Sequence, residues 1–182
     1  YNTVVGDEAG TAITIGDNNV AVGYQSLDAN TTGSRLTAVG NAALSANTTA
    51  AFNVAVGDRA LLTNTGSANN VAVGANALYT FNVASGNGYN VAVGKNAGFA
   101  VTTGVQNTLI GGLAGDAQTT ASNNTAVGYQ ALTAATTGAN NTSIGMNSMA
   151  ANTTGGSNVA VGGSALGANS TASNNTAMGG DA

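Results

Sequence analysis

Asn124-Thr125-Ala126-Val127-Gly128, followed by Ala131-Leu132, decides how this chain is read, because it recurs along almost the whole length. Asn-Val-Ala-Val-Gly stands at 19–23, 53–57, 70–74, 90–94 and 158–162, and looser copies end at Gly6, Gly40, Gly111, Gly145 and Gly179. The motif glycines lie 17 residues apart, except for one interval of 20 between Gly74 and Gly94. A fixed short period of this kind is the signature of a stacked repeat architecture.

With the glycine as position 0, position −4 is Asn in every copy but one, where Leu36 stands. Position −3 is Val or Thr, and position −1 is Val, Ile or Met. Position +3 is Ala or Ser, and +4 is mostly Leu, with Met149 and the glycines Gly10, Gly98 and Gly115 as exceptions. The second half of the repeat reads Asn-Thr-Thr-Gly at 30–33 and 152–155, with looser copies elsewhere. In the first repeat Ile13-Thr14-Ile15-Gly16 stands there instead, so each period is expected to hold two short strands.

Val-Ala-Val alternates as a strand does, which predicts that −3 and −1 face the interior and −2 faces out. A helix is excluded: β-branched residues and a Gly in every turn of the pattern carry too high a helix cost. The Gly is expected to turn the chain with φ above zero. The Asn suits the opposite corner, since it tolerates the left-handed region and can bond its own backbone. About eleven 17-residue coils stacked at strand spacing would make a rod roughly 50 Å long. Residues 1–182 thus read as one all-β, parallel β-roll or β-solenoid domain, with an enlarged coil at 75–93.

Such a coil is thin. With Val inside, the Ala at −2 and +3 and the Leu at +4 have no interior place and form an external strip. A strip that long exceeds what a monomer normally exposes. Closed lateral association of copies, a homotrimer, is therefore expected.

Composition narrows the function. Charged residues are 5% and aromatics 4% of 182, and Pro, Trp, Cys and His are absent. Without His or Cys the commonest general base and the thiolate nucleophile are missing, so no enzyme is expected. Net charge is −4 with only Arg35, Arg59 and Lys95 as cations, which excludes a phosphate-neutralising surface and a nucleic-acid partner. No apolar run is long enough to span a bilayer, so no membrane insertion by this segment is expected.

Asn-Val-Ala-Val-Gly-x-x-Ala-Leu with Asn-Thr-Thr-Gly resembles the head repeats of YadA-type trimeric autotransporter adhesins, and closely similar repeats occur in phage-like tail fibres. The resemblance implies a left-handed parallel β-roll, three chains side by side, and an attachment role. In this setting the chain is expected to be an extracellular, non-catalytic fibre segment at a bacterial cell surface. Its partners would be its own copies, end to end as well as in the trimer, and a receptor or glycan of a host cell or matrix. The alternatives are a tail-fibre shaft on a virion and an ice-binding β-solenoid built on the Thr column at +8. The chain opens on a motif copy and stops three residues after Gly179, which is expected of a segment from a longer fibre.

Within the repeat, Asn124, Val127, Gly128 and Leu132 are assigned structural roles. Specificity is expected where the pattern breaks, at Tyr79, Phe81 and Tyr89 of the enlarged coil, since insertions in solenoids map to loops and exposed aromatics anchor partners. No cofactor is expected. A Ca²⁺ ion near Asp7, Glu8 and Asp17 is the one metal candidate, on the oxygen ligands those side chains offer.

Overall fold

A computed structural model describes all residues, Tyr1–Ala182. The chain is a parallel β-solenoid without helices. Its strands are β1 Thr3–Val5, β2 Val20–Val22, β3 Thr37–Val39, β4 Val54–Val56, β5 Ser67–Ala68, β6 Val71–Val73, β7 Gly86–Asn87, β8 Val91–Val93, β9 Thr108–Ile110, β10 Thr125–Val127, β11 Thr142–Ile144, β12 Val159–Val161 and β13 Thr176–Met178. Eleven of them form one parallel sheet in chain order, and β5 and β7 pair only with each other. Register follows the repeat: Thr125, Ala126 and Val127 lie beside Thr142, Ser143 and Ile144. It survives the long interval, where Val71 lies beside Val91. No helix is long and apolar enough to cross a membrane.

The facing of the strand is the reverse of the sequence expectation. Ala21, Ala38, Ala55, Ala72, Ala92, Ala126 and Ala160, all at −2, are fully buried. The flanking Val and Thr residues are half exposed, and Ile110 and Ile144 at −1 are each 38% exposed. Ala at +3 and Leu at +4 also lie in the core, as Ala131 and Leu132 show, together with Leu27, Leu44, Leu61 and Leu78. The expected external Ala/Leu strip is therefore the interior. The physical reason is the narrowness of the coil. Its two walls approach too closely for β-branched side chains on both, so Ala lines one wall and a single Leu from the corner fills the gap.

Volume exchange within the core explains the glycines at +4. A Cβ on Gly98 or Gly115 would come within 2.8 Å of the Leu109 side chain, the one Leu at a −2 position. A Cβ on Gly10 would lie 2.9 Å from Ile13 Cδ1 and 3.4 Å from Val4. Where −2 carries a large residue, +4 gives up its Leu, whereas Phe81 at +7 shares the core with Leu78 at +4.

Each coil turns through three left-handed residues, at +2, +4 and +12, as in Gln130, Leu132 and Asn140, with φ of 54°, 56° and 61°. The motif glycine turns separately, with φ of 139° at Gly128. The Asn at −4 does not occupy the left-handed corner expected of it. Asn124 is 1% exposed. Its Nδ2 donates across the coil to the Gly138 carbonyl at 2.8 Å, and its Oδ1 accepts the Asn141 N–H of the next rung at 2.8 Å. Asn107 and Asn141 repeat both bonds. The column is an internal brace that pairs backbone groups no strand reaches.

The Thr-Thr-Gly half is not a second strand, apart from the short β5–β7 pair. Its N–H groups converge instead of running in a ladder. Those of Thr14, Ile15 and Gly16 all donate to the Thr31 carbonyl, at 3.0, 3.3 and 3.2 Å. The Thr14 hydroxyl donates to the same oxygen at 3.0 Å. The hydroxyls of Thr31, Thr48, Thr119 and Thr136 each repeat that bond to the next rung.

Candidate functional site

Most outward columns are polar or small, so departures from the repeat are where a surface acquires character. In the enlarged coil the rung pattern is kept through Asn82, whose N–H donates to the Thr102 carbonyl at 2.9 Å, and the surplus is taken up over 83–85 before β7 pairs with β5. The coil separates its three aromatics. Phe81 is fully buried in the +7 slot, joined to the Ala/Leu core, and presents nothing to a partner. Tyr79 is half-buried and stacked on Phe99 of the next rung, with ring centroids 5.1 Å apart and planes inclined by 17°. Tyr89 is 54% exposed at the +12 corner.

Sequence reasoning missed the neighbours of Tyr89. Arg35, Phe52 and Asn69 occupy the same +12 column on the three preceding rungs. The Arg35 guanidinium lies over the Phe52 ring, 5.1 Å from its centroid, and Phe52 is 49% exposed. The enlarged coil contributes Asn87, whose Nδ2 donates to Tyr89 Oη at 3.0 Å and whose Oδ1 accepts from Asn69 Nδ2 at 2.7 Å. The available signal was positional: Arg and Phe stand where other rungs carry Asn.

A second irregularity lies at the +1/+2 corner. Gly112 leaves a gap between Lys95 and Tyr129, floored by Asn96 and Leu113, with a volume of about 310 Å³. Tyr24 and Tyr129 are exposed corner residues, at 48% and 53%. At +9, one step beyond the Thr ladder, Thr32, Thr49, Thr120, Thr137 and Thr154 are exposed.

The acidic first coil does not gather into a metal centre. Asp7 and Glu8 sit at the +1/+2 corner and Asp17 at +11, and no group of three His, Cys, Asp or Glu side chains converges anywhere. Glu8 accepts a hydrogen bond from Gln25 Nε2 at 2.7 Å. Its charge, followed by desolvation, holds the Tyr24 phenol above its ordinary value. Asp28 and Asp116 share the +5 column but are five rungs apart, roughly 24 Å, too far for paired acid-base work.

Burial raises the Asp28 carboxyl above its ordinary value of 3.8, opposed by backbone donors at Ala29 and Asp28, with a further small rise from Glu8. Its Oδ1 is buried without a partner. Since the folded-state value lies above the unfolded one, the protonated form is the stabilising one. That contribution is complete below 3.8 and is lost as pH rises through the raised value. Asp28→Asn is therefore expected to raise the denaturation midpoint at neutral pH and to leave it unchanged in acid. A gain of equal size at both pH values would contradict this.

The fold places the chain in the class of parallel β-solenoids with one strand per turn. No family model, curated protein or solved structure matches it.

Proposed function

We propose that the chain is a non-catalytic fibre segment that associates laterally as a homotrimer and serves attachment at a surface. The observation that carries this reading is the outward row of Val, Thr and Ile at −3 and −1. Over eleven strands of three residues it covers about 50 Å by 10 Å, roughly 500 Å². Thr holds −3 in six of the eleven rungs, so the apolar part is the −1 column of Val, Ile and Met with the remaining Val, a continuous half-exposed stripe of the kind that marks interaction surfaces. Three stripes turned to a common axis would cover one another and leave no open apolar face. The count of three and a left-handed coil follow the resemblance to trimeric adhesin heads. The same resemblance supports an extracellular place, on a bacterial cell or a virion. The tightly packed interior has no room for a substrate, and the carboxylates are scattered, which supports a structural rather than catalytic role. Ice binding is not proposed, because hydroxyls of the +8 Thr column donate to the chain itself.

Light scattering is expected to return three times the 17.3 kDa of one chain. Ile110→Lys with Ile144→Lys should give monomers with an unchanged β spectrum. A stable wild-type monomer would overturn the assembly. Attachment is tested with fluorescent beads coated with the segment and presented to matrix-coated surfaces, animal cells and bacterial cells. Capture by the first two favours a cell-surface adhesin and capture by bacteria a tail fibre; no capture on any surface rejects the attachment reading.

A further inference from the structure

We propose that the +12 corner across Arg35, Phe52, Asn69 and Tyr89 is a binding lane for an extended β-linked glycan lying parallel to the rod axis. This inference rests on the attachment reading and names the chemistry of one ligand.

The first argument is conformational. The +12 backbone is left-handed in every rung, with φ of 59° at Phe52 and 50° at Tyr89. Asn tolerates that region best among residues with a side chain, and Asn18, Asn69, Asn123, Asn140 and Asn174 occupy it elsewhere. An aromatic residue held there is strained. Phe52 and Tyr89 remain 49% and 54% exposed, so burial offsets only part of that strain. Left-handed residues other than Asn recur along the repeat, as at Gln25 and Arg59; what sets Phe52 and Tyr89 apart is that large rings are held there and left exposed.

The second argument is orientation. Both rings have fixed neighbours: Arg35 over Phe52, and Asn87 on the Tyr89 hydroxyl. Asn87 belongs to β7, the short strand by which the enlarged coil rejoins the stack, and is itself tied to Asn69. The enlarged coil therefore has a local effect, which is to hold Tyr89 in the lane. Gly88 makes that path possible, since a Cβ there would collide with the Asn70 side chain, 2.8 Å from its Cγ.

The third argument is spacing. Phe52 and Tyr89 are two rungs apart in one column, about 9.6 Å along the axis. This is close to the disaccharide repeat of a flat β-linked chain. Tyr89 then meets the apolar face of one sugar, and the rim of the Phe52 ring, whose face Arg35 covers, meets the alternate sugar. Asn69 between them and Gln106 on the next rung present amide groups to the hydroxyls along the chain edge. A curved α-linked glycan cannot follow a straight column.

The test uses the whole chain and isothermal titration with cellohexaose, chitohexaose and maltohexaose. Binding of at least one β-linked hexamer and not of maltohexaose is expected. Phe52→Asn with Tyr89→Asn should weaken it about tenfold or more, from two lost ring contacts. Both substitutions restore the commonest residue of the column and relieve its strain, so the double variant should denature at or above the wild-type midpoint. Failure of both β-linked hexamers to bind, equal binding of maltohexaose, or undiminished binding by the double variant would overturn the lane. The bead assay separates the two readings. Surface capture that persists while neither β-linked hexamer binds leaves attachment standing and removes the lane. Hexamer binding without capture on any surface does the opposite.

Discussion

Gly111→Ala is expected to destabilise the solenoid by roughly 2–6 kcal/mol, whereas Gly112→Ala, one residue on, should change stability by less than about 0.5 kcal/mol. The two glycines differ in what a methyl group would meet. At Gly111, φ is 135° and a Cβ would lie 2.6 Å from the carbonyl carbon of Gly128 on the next rung. That backbone cannot move aside, because Gly128 stands in the same relation to Gly145. The substitution adds strain in a region open essentially only to glycine, about 1–3 kcal/mol, to overpacking of similar size. At Gly112 φ is not in the left-handed range, and the nearest atom to a Cβ is Tyr129 Cδ2 at 3.5 Å, an ordinary contact. Urea denaturation of the two variants beside the wild type checks this. Equal midpoints would show that the close glycine column is not what sets the rung spacing.

The second large effect concerns the Asn brace. Asn124→Ala leaves the Asn141 N–H and the Gly138 carbonyl without partners inside the coil, and each orphaned group costs about 1–3 kcal/mol. A loss of roughly 2–6 kcal/mol is expected. Asn141→Ala should cost about 1–3 kcal/mol less. It also strips the next rung's N–H, but the carbonyl it braces, Gly155, keeps a second donor in Asn152 Nδ2 at 2.9 Å. At Gly138 the residue equivalent to Asn152 is Ala135, which has no donor. Equal costs for the two variants would refute the view that both Asn columns brace the same carbonyl. Because each rung contacts only its neighbours, either loss should appear as early unfolding around one coil, which hydrogen exchange resolves.

The candidate surface was partly legible. Tyr89 stood out because the period broke around it. Phe81 stood out for the same reason, and its burial shows the limit of that signal. A break in register marks an irregular coil without telling which aromatic is turned inward. Arg35 and Phe52 carried no break and went unnoticed, although their column is elsewhere rich in Asn.

The period, the one-residue-in-seventeen glycine and the parallel in-register stacking were determined by the sequence alone, because identical short segments can satisfy their backbones only by pairing with the next copy. Even the 20-residue interval did not hide them. Which side of Val-Ala-Val faces inward was decided only by the closed coil. Alternation states that two faces differ, and hydrophobicity favours Val inside, but the distance between opposing walls admits Ala beside a Leu at +4 and takes a larger residue, such as Val4 or Leu109, only beside Gly at +4. The same closure moved Asn124 from an expected corner to an internal brace and Leu132 from an expected outer strip to the core. Side-chain volume across a cross-section is a relation between residues distant within the repeat, and no single copy of the motif records it.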